Sequence, residues 1–186
     1  MNNRRLSLQE NPASVSHFEH AIVPHLDAAY NLARWLTGND QNAQDVVQEA
    51  CLRAFRAFAG FHGENGRAWL LTIVRNTAYT ALQKDRGLSQ MTPFDEEIHG
   101  QVERPGGETT PATALSGAED QQRITQAIAA LPEEFREAIV LRHQDGLSYK
   151  EIAEIAGVPT GTIMSRLARA RARIKQFLAS EALEVS

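Results

Sequence analysis

Five cations and no acid lie between Pro159 and Leu178: Arg166, Arg169, Arg171, Arg173 and Lys175. The chemistry such a run performs is phosphate binding. Guanidinium and ammonium groups displace the counterions of a nucleic-acid backbone and pin the chain to it. At about 100° per residue, Ser165, Arg169, Ala172 and Gln176 share one side of a helix, opposite an apolar stripe of Ile163, Leu167, Ala170, Ile174 and Phe177. Arg166 and Arg173 fall on one flank; Met164, Arg171 and Lys175 fall on the other. Hydrogen-bonding groups then face base edges and cations face both phosphate walls of a groove. The alternative is an ordinary solvated helix, disfavoured by the lack of any acid in the run.

Two further clusters have chemistry to offer. Asp45, Gln48, Glu49, Leu52 and Arg56 form one stripe of a helix. Two carboxylates four residues apart repel on an isolated helix, and a basic partner would relieve them; taken alone, the stripe reads first as an ordinary solvated face. Phe61, Arg67, Trp69, Arg75 and Asn76 combine rings, cations and an amide. Single-stranded nucleic acid is held by that combination, through stacking and phosphate contacts, with an amide available to a base edge. A lone tryptophan such as Trp69 is more often core than stacking platform.

Nothing in the chain suggests catalysis. The six histidines pair with no carboxylate or second histidine in a ligand or catalytic spacing. His17, Glu19 and His20 read as exposed helix residues before they read as a metal site. Cys51 is the only cysteine, which excludes an internal disulfide and a cysteine-cluster zinc site, and it fits as a small apolar filler. There is no glycine-rich phosphate loop. The expectation is no enzyme, no metal and no cofactor.

The elements that must position these groups are helical. Ile22, Leu26, Ala29, Ala33 and Leu36 follow helical spacing, with Pro24 at a first turn or kink. Gly38 ends that helix, and Asn39 or Asp40 starts the next, with Ala43, Val47, Ala50 and Ala54 inward and Val46 and Phe58 beside them. A loop from Phe61 to Gly66 leads to a third strong helix with Leu70, Ile73, Val74, Thr77 and Ala81 inward. Trp69, Thr72, Asn76 and Gln83 then lie outward, with Arg75 and Tyr79 on the same arc. Residues 87–117 break the pattern with Pro93, Pro105, Pro111 and Gly106-Gly107, a flexible linker.

Beyond it, Ile124 to Leu131 makes a helix stopped at Pro132, and Glu133 to His143 makes another. Ser148-Tyr149-Lys150-Glu151 is a capping box, Gly157 suits a left-handed turn, and Pro159 opens the basic helix. Ala153, Gly157 and Ile163 supply the small residue, free turn and back-facing aliphatic side chain of a helix-turn-helix. The expected fold is all-α: an N-terminal three- or four-helix domain over 15–86 and a four-helix domain over 118–179. Tails at 1–14 and 180–186 flank them.

Charge is unevenly distributed. The 186 residues carry a formal net charge of −4, yet between Leu88 and Gln122 seven acids face the single base Arg104. Such asymmetry points to segments with different partners. No apolar run suits a membrane span and the N-terminus has no secretory pattern, so the default address is the cytoplasm.

Three stretches together resemble the bacterial sigma-70 family. DQNAQDVVQEACLRAFR, from Asp40, is similar to its polymerase-binding helix. AWLLTIVRNTAYTAL, from Ala68, is similar to the promoter-melting helix, and the stretch from Ala130 to Lys175 to the C-terminal helix-turn-helix domain. The compact layout resembles the extracytoplasmic-function (ECF) group. The resemblance implies a core RNA polymerase contact through Asp45, Gln48, Glu49, Leu52 and Arg56. It implies minus-ten DNA contacts, duplex and then melted non-template strand, through Phe61, Arg67, Trp69, Arg75, Asn76, Tyr79 and Lys84. It implies minus-thirty-five contacts through Thr162, Met164, Ser165, Arg166, Arg169, Arg171, Arg173 and Lys175, and an anti-sigma partner. The competing expectation is a helix-turn-helix regulator that acts without polymerase.

Overall fold

The computed structural model describes residues 12–63, 65–89, 114–143 and 146–184. Residues 90–113 of the expected linker, most of the N-terminal tail and the turn residues Gln144 and Asp145 lie outside them. The described residues form two compact units. Every regular element among them is helical.

The first unit holds α1 (Pro12–Ile22), α2 (Leu26–Thr37), α3 (Asp40–Ala57) and α4 (Gly66–Ser89). Pro24 produces the expected break as a single 3-10 turn, Val23–His25, because its ring removes a donor from the helical ladder. Gly38 adopts φ +81° and donates its N–H to the Arg34 carbonyl at 2.9 Å, closing α2. Asn39 then caps α3, its side-chain oxygen accepting the Asn42 N–H at 2.7 Å. Asp40 has a different role. Its carboxylate takes Arg34 Nε at 2.7 Å and the Tyr30 hydroxyl at 3.1 Å, tying the first turn of α3 back to α2.

Between these helices are buried Leu32, Ala33 and Leu36 of α2, Ala43, Val46, Ala50 and Ala54 of α3, and Leu70, Leu71, Val74 and Ala78 of α4. Leu32, Leu70 and Leu71 are fully buried, each contributing about 1.5–3 kcal/mol. Two expectations shift. Val46 takes the inward position on α3 and Val47 is half-buried. On α4, Leu71 and Ala78 are inward, while Ile73 and Ala81 are half-buried. Helix α4 packs against α1, α2 and α3, so its buried arc is wider than one stripe. It also runs three residues beyond the expected end at 86, through Gly87, which a helix tolerates at about 1 kcal/mol.

The C-terminal part of the chain holds α5 (Ala114–Ala129), α6 (Glu133–His143), α7 (Tyr149–Ala156) and α8 (Thr160–Glu184). Helix α5 begins four residues before the expected boundary and α8 continues past 179. Arg136 reaches back to the Ala129 and Leu131 carbonyls at 2.6 and 2.9 Å, satisfying the end of α5 where Pro132 stops it. Arg123 donates to the Leu178 carbonyl at 3.2 Å, joining α5 to α8. Glu137 is 1% exposed in the middle of α6, engaged with a partner.

The turn from α7 to α8 is built as the sequence dictates. Ser148 Oγ and the Glu151 carboxylate lie 2.7 Å apart, the Ser148 N–H donates to that carboxylate at 2.8 Å, and the Glu151 N–H donates to Ser148 Oγ at 3.3 Å. Gly157 sits at φ +66°, and the Val158 N–H donates to the Ala153 carbonyl at 3.1 Å. Ile152, Ile155, Ile163 and Leu167 close the crossing from within.

Candidate functional site

On α3, the asparagine cap and the alanine-rich inner stripe fix which residues face out. Asp45, Gln48, Leu52 and Arg56 are exposed and Glu49 is half-buried. Leu52 is 51% exposed, an apolar side chain inside a polar surround, which is the anatomy of a docking patch. Arg53, which the sequence reading passed over, holds Glu49 Oε1 at 2.7 Å. Both side chains of that pair are more than 40% exposed, so it stabilises by a few tenths of a kcal/mol and yields readily to an external cation.

Helix α4 starts on α1. A Cβ added at Gly66 would lie 2.5 Å from the Ala21 carbonyl oxygen, so only glycine permits this approach. Asn65 caps the helix, accepting the Ala68 N–H at 2.9 Å. The loop before it folds onto an aromatic cluster. Phe61 and Trp69 have ring centroids 4.7 Å apart, and Phe58 lies 5.7 Å from Phe61 and 6.2 Å from Trp69. Phe18 of α1 meets Phe55 and Phe58 edge-on at 5.2 and 5.1 Å, and the His17 ring tilts against Phe58 at 5.3 Å. Phe61 and Trp69 are half-buried. Each therefore serves as core on one side and keeps area for stacking on the other. Sequence reasoning missed the supporting rings, although Phe55, Phe58 and Phe61 recur every third residue.

Along α4, Asn76 and Lys84 are exposed, and Arg67, Arg75 and Tyr79 are half-buried. The Arg75 guanidinium lies 4.6 Å over the Tyr79 ring and donates to Asn76 Oδ1 at 3.2 Å. Thr72 shares the half-burial of Trp69, Arg75 and Tyr79 on the outer arc. It donates to the Ala68 carbonyl at 2.8 Å, where its hydroxyl serves its own helix. Arg67 acts on His25: burial first, then this positive charge, lowers the imidazole pKa below its ordinary value.

On α8 the five cations do not behave alike. Ser165, Arg169, Arg171 and Lys175 are exposed, as is Met164, and Thr162 is half-buried at the helix start. Arg166 points elsewhere: its NH2 group lies 3.4 Å from Glu134 Oε2 and its side chain is only 17% exposed. The Arg173 guanidinium lies 5.5 Å over the Phe135 ring. On this flank Arg166 is held by the first turn of α6, which departs from the expectation for that one cation, while Arg173 stays exposed. The helical wheel grouped Arg166 with Arg173 but carried no information about which neighbour that flank meets.

Other candidates are quiet. Among the described residues, no group of three His, Cys, Asp or Glu side chains could hold a metal ion, and no helix is long and apolar enough to cross a membrane. His20 Nδ1 lies 2.7 Å from the Ser16 carbonyl, within its own helix. Cys51 is half-buried, and burial pushes its thiol pKa up, away from the reactive thiolate.

Comparison with known proteins joins these surfaces. Residues 21–87 match the family model for sigma-70 region 2, and residues 121–174 match that for sigma-70 region 4. The chain is 37% identical to the ECF RNA polymerase sigma-E factor of Escherichia coli, over 77% of this chain and 76% of that one. The chain belongs to the sigma-70 family, in its ECF group. It is also 32% identical to the ECF sigma factor SigE of Mycolicibacterium smegmatis, over 94% of this chain and 66% of that one. Among solved structures, the sigma factor RpoE of Bartonella quintana, determined in complex with the anti-sigma factor NepR, superposes with a TM-score of 0.72. That pair is 30% identical and the match covers 88% of this chain and 98% of the other.

The region 2 match spans α2 to α4 of this sigma factor, and the region 4 match spans α6, α7 and most of α8. The competing expectation of a regulator independent of polymerase fails on this point. Such a protein has no use for a complete region 2 domain ahead of its helix-turn-helix.

Proposed function

We propose that this sigma factor works through three surfaces, each built on one helix. As an ECF sigma factor it is a polymerase-associated, promoter-specific initiation factor, a regulatory subunit and not an enzyme by itself. In this reading Asp45, Gln48, Glu49, Leu52 and Arg56 of α3 dock on core RNA polymerase, with Leu52 as apolar anchor. The α4 surface, with Phe61, Arg67, Trp69, Arg75, Asn76, Tyr79 and Lys84, engages the minus-ten element and holds its melted non-template strand. Helix α8 enters the major groove of the minus-thirty-five element. Ser165 and Arg169 face bases, Arg171, Arg173 and Lys175 face phosphates, and Thr162 and Met164 border the groove.

The observation that carries this reading is the occurrence of both sigma-70 regions in order in one chain. The protein acts where polymerase is, in the cytoplasm. The Bartonella structure is a complex with an anti-sigma factor, and a protein inhibitor covering the α3 face or α8 is the corresponding brake here.

Charge reversal of the α3 face tests the reading. The double variant Asp45→Arg with Glu49→Arg is expected to lose binding to purified core polymerase while keeping its helical content and its melting temperature. Titration giving wild-type affinity for core enzyme would place the contact elsewhere. Leu52→Ala should weaken binding through a faster off-rate, whereas the charges act chiefly on the on-rate and its salt dependence.

A further inference from the structure

Arg166 and Arg173 share one flank of α8, about two turns apart, yet α6 engages them differently. Arg173 is exposed, and its guanidinium lies 5.5 Å over the Phe135 ring. A ring face attracts a guanidinium without neutralising it, so that charge stays available to an anion. Arg166 instead has its Nη2 atom 3.4 Å from Glu134 Oε2, and only 17% of its side chain is exposed. A carboxylate, rather than proximity to α6, separates the cation held back from the cation offered to solvent. Glu134 is not needed for the electrostatics of its own helix end. Glu133 also stands in the first turn of α6 and supplies the negative charge that a helix N-terminus favours.

We propose that Glu134 is a positioning residue that withholds Arg166 from the DNA backbone and so limits how many phosphates α8 neutralises. Arg166 follows base-facing Ser165 in the chain and has beside it the same phosphate wall as Arg173. Moving its guanidinium onto that wall would break the ion pair and leave the Glu134 carboxylate bare beside a phosphate, like charge against like, so the exchange gains little. Phosphate contacts add affinity at every duplex, promoter or not, and carry no sequence information. Holding one cation back lowers that uniform affinity and leaves Ser165 and Arg169 untouched. The inference rests on the placement of α8 in the major groove proposed above. It adds to that placement an acid on another helix that sets the strength of the backbone grip.

The test is fluorescence anisotropy of the full-length protein on two labelled duplexes, one carrying the minus-thirty-five element and one of unrelated sequence. Glu134→Ala should steepen the slope of log affinity against log salt by about 0.9 on both duplexes, so that affinity falls about 3.5-fold further between about 50 and 200 mM salt. The ratio of promoter to unrelated affinity should keep its wild-type value, because the added contact is to phosphate. Combining Glu134→Ala with Arg166→Ala should return the slope to wild type, since the acid acts through that cation.

An unchanged slope in Glu134→Ala overturns the proposal and leaves the pair a purely structural contact. A steeper slope that survives in the double variant overturns it too, because Arg166 would then not be the cation released. A gain confined to the promoter duplex overturns it as well, because the freed group would be reading a base. Failure of the α8 placement itself looks different: Arg171→Ala and Lys175→Ala would both keep the wild-type slope, and the proposal would fall with that reading. Melting curves for each variant separate these outcomes from loss of the fold.

Discussion

Replacing Arg166 by alanine should cost folding stability and leave DNA salt dependence almost untouched, although it removes one of five cations from the recognition helix. The side chain is 17% exposed and pairs with Glu134 at 3.4 Å, and Glu134 itself is 52% exposed. A pair with one partner so solvated contributes well under 1 kcal/mol. Burial of the alkyl stem adds a similar amount, so the total loss is about 1 kcal/mol. Arg171 and Lys175 are exposed on the opposite flank. Each that neutralises a phosphate contributes about 0.9 to the slope of log affinity against log salt. Fluorescence anisotropy of the full-length protein on minus-thirty-five duplex, between about 50 and 200 mM salt, should therefore show an unchanged slope for Arg166→Ala. Arg171→Ala and Lys175→Ala should each flatten it by about one unit. Chemical denaturation should give the reverse ranking. If Arg166→Ala flattened the slope as much as Arg171→Ala, the Glu134 contact would be giving way to phosphate in the complex, and the structural role of Arg166 would be wrong.

Other outcomes follow from named contacts. Gly157→Ala should destabilise the helix-turn-helix by about 1–2 kcal/mol through its positive φ alone, since a Cβ there meets nothing within 4 Å; an unchanged denaturation midpoint would refute the strain. Gly66→Ala should be costly for the opposite reason, a collision with the Ala21 carbonyl, and should alter Trp69 emission as α4 shifts; identical spectra and stability would show that the contact relaxes freely. His25 has a depressed pKa, so the unfolded chain takes up its proton first as pH falls. Stability of the N-terminal unit should then drop from about pH 6.5 downward until the folded-state pKa is passed, and His25→Gln should remove that part of the pH dependence in denaturation midpoints. An unaltered profile in His25→Gln would assign the dependence to other groups.

Features decided within a few residues were legible in the sequence. The Asn39 cap, the Ser148–Glu151 capping box and the left-handed Gly38 and Gly157 all stand as their residue types demand. Each has one local solution, so the helix boundaries around both binding faces could be read closely. What escaped lies across the chain. Arg166 meets Glu134 from 32 residues away, and a helical wheel has no means of finding that partner. The support of Phe61 and Trp69 by Phe18 and Phe58 depends on how α1 crosses the loop, which periodicity does not encode. Val46 displaced Val47 because both sit near the edge of the stripe and only the crossing of α2 and α4 decides between them. Glu137 reads as a surface residue from its type, yet α6 is covered on that side.

The contact between Phe61 and Trp69 equips this protein with an optical probe at the surface proposed to hold single-stranded DNA. An indole in contact with a neighbouring ring is sensitive to any ring that replaces or joins it, and a nucleobase stacked there would quench its emission. Trp35, the other tryptophan, sits on α2, so a Trp35→Phe variant would leave a single emitter beside the loop. Strand capture could then be timed in stopped flow without attaching a dye, and separated from duplex binding at α8, which has no indole of its own.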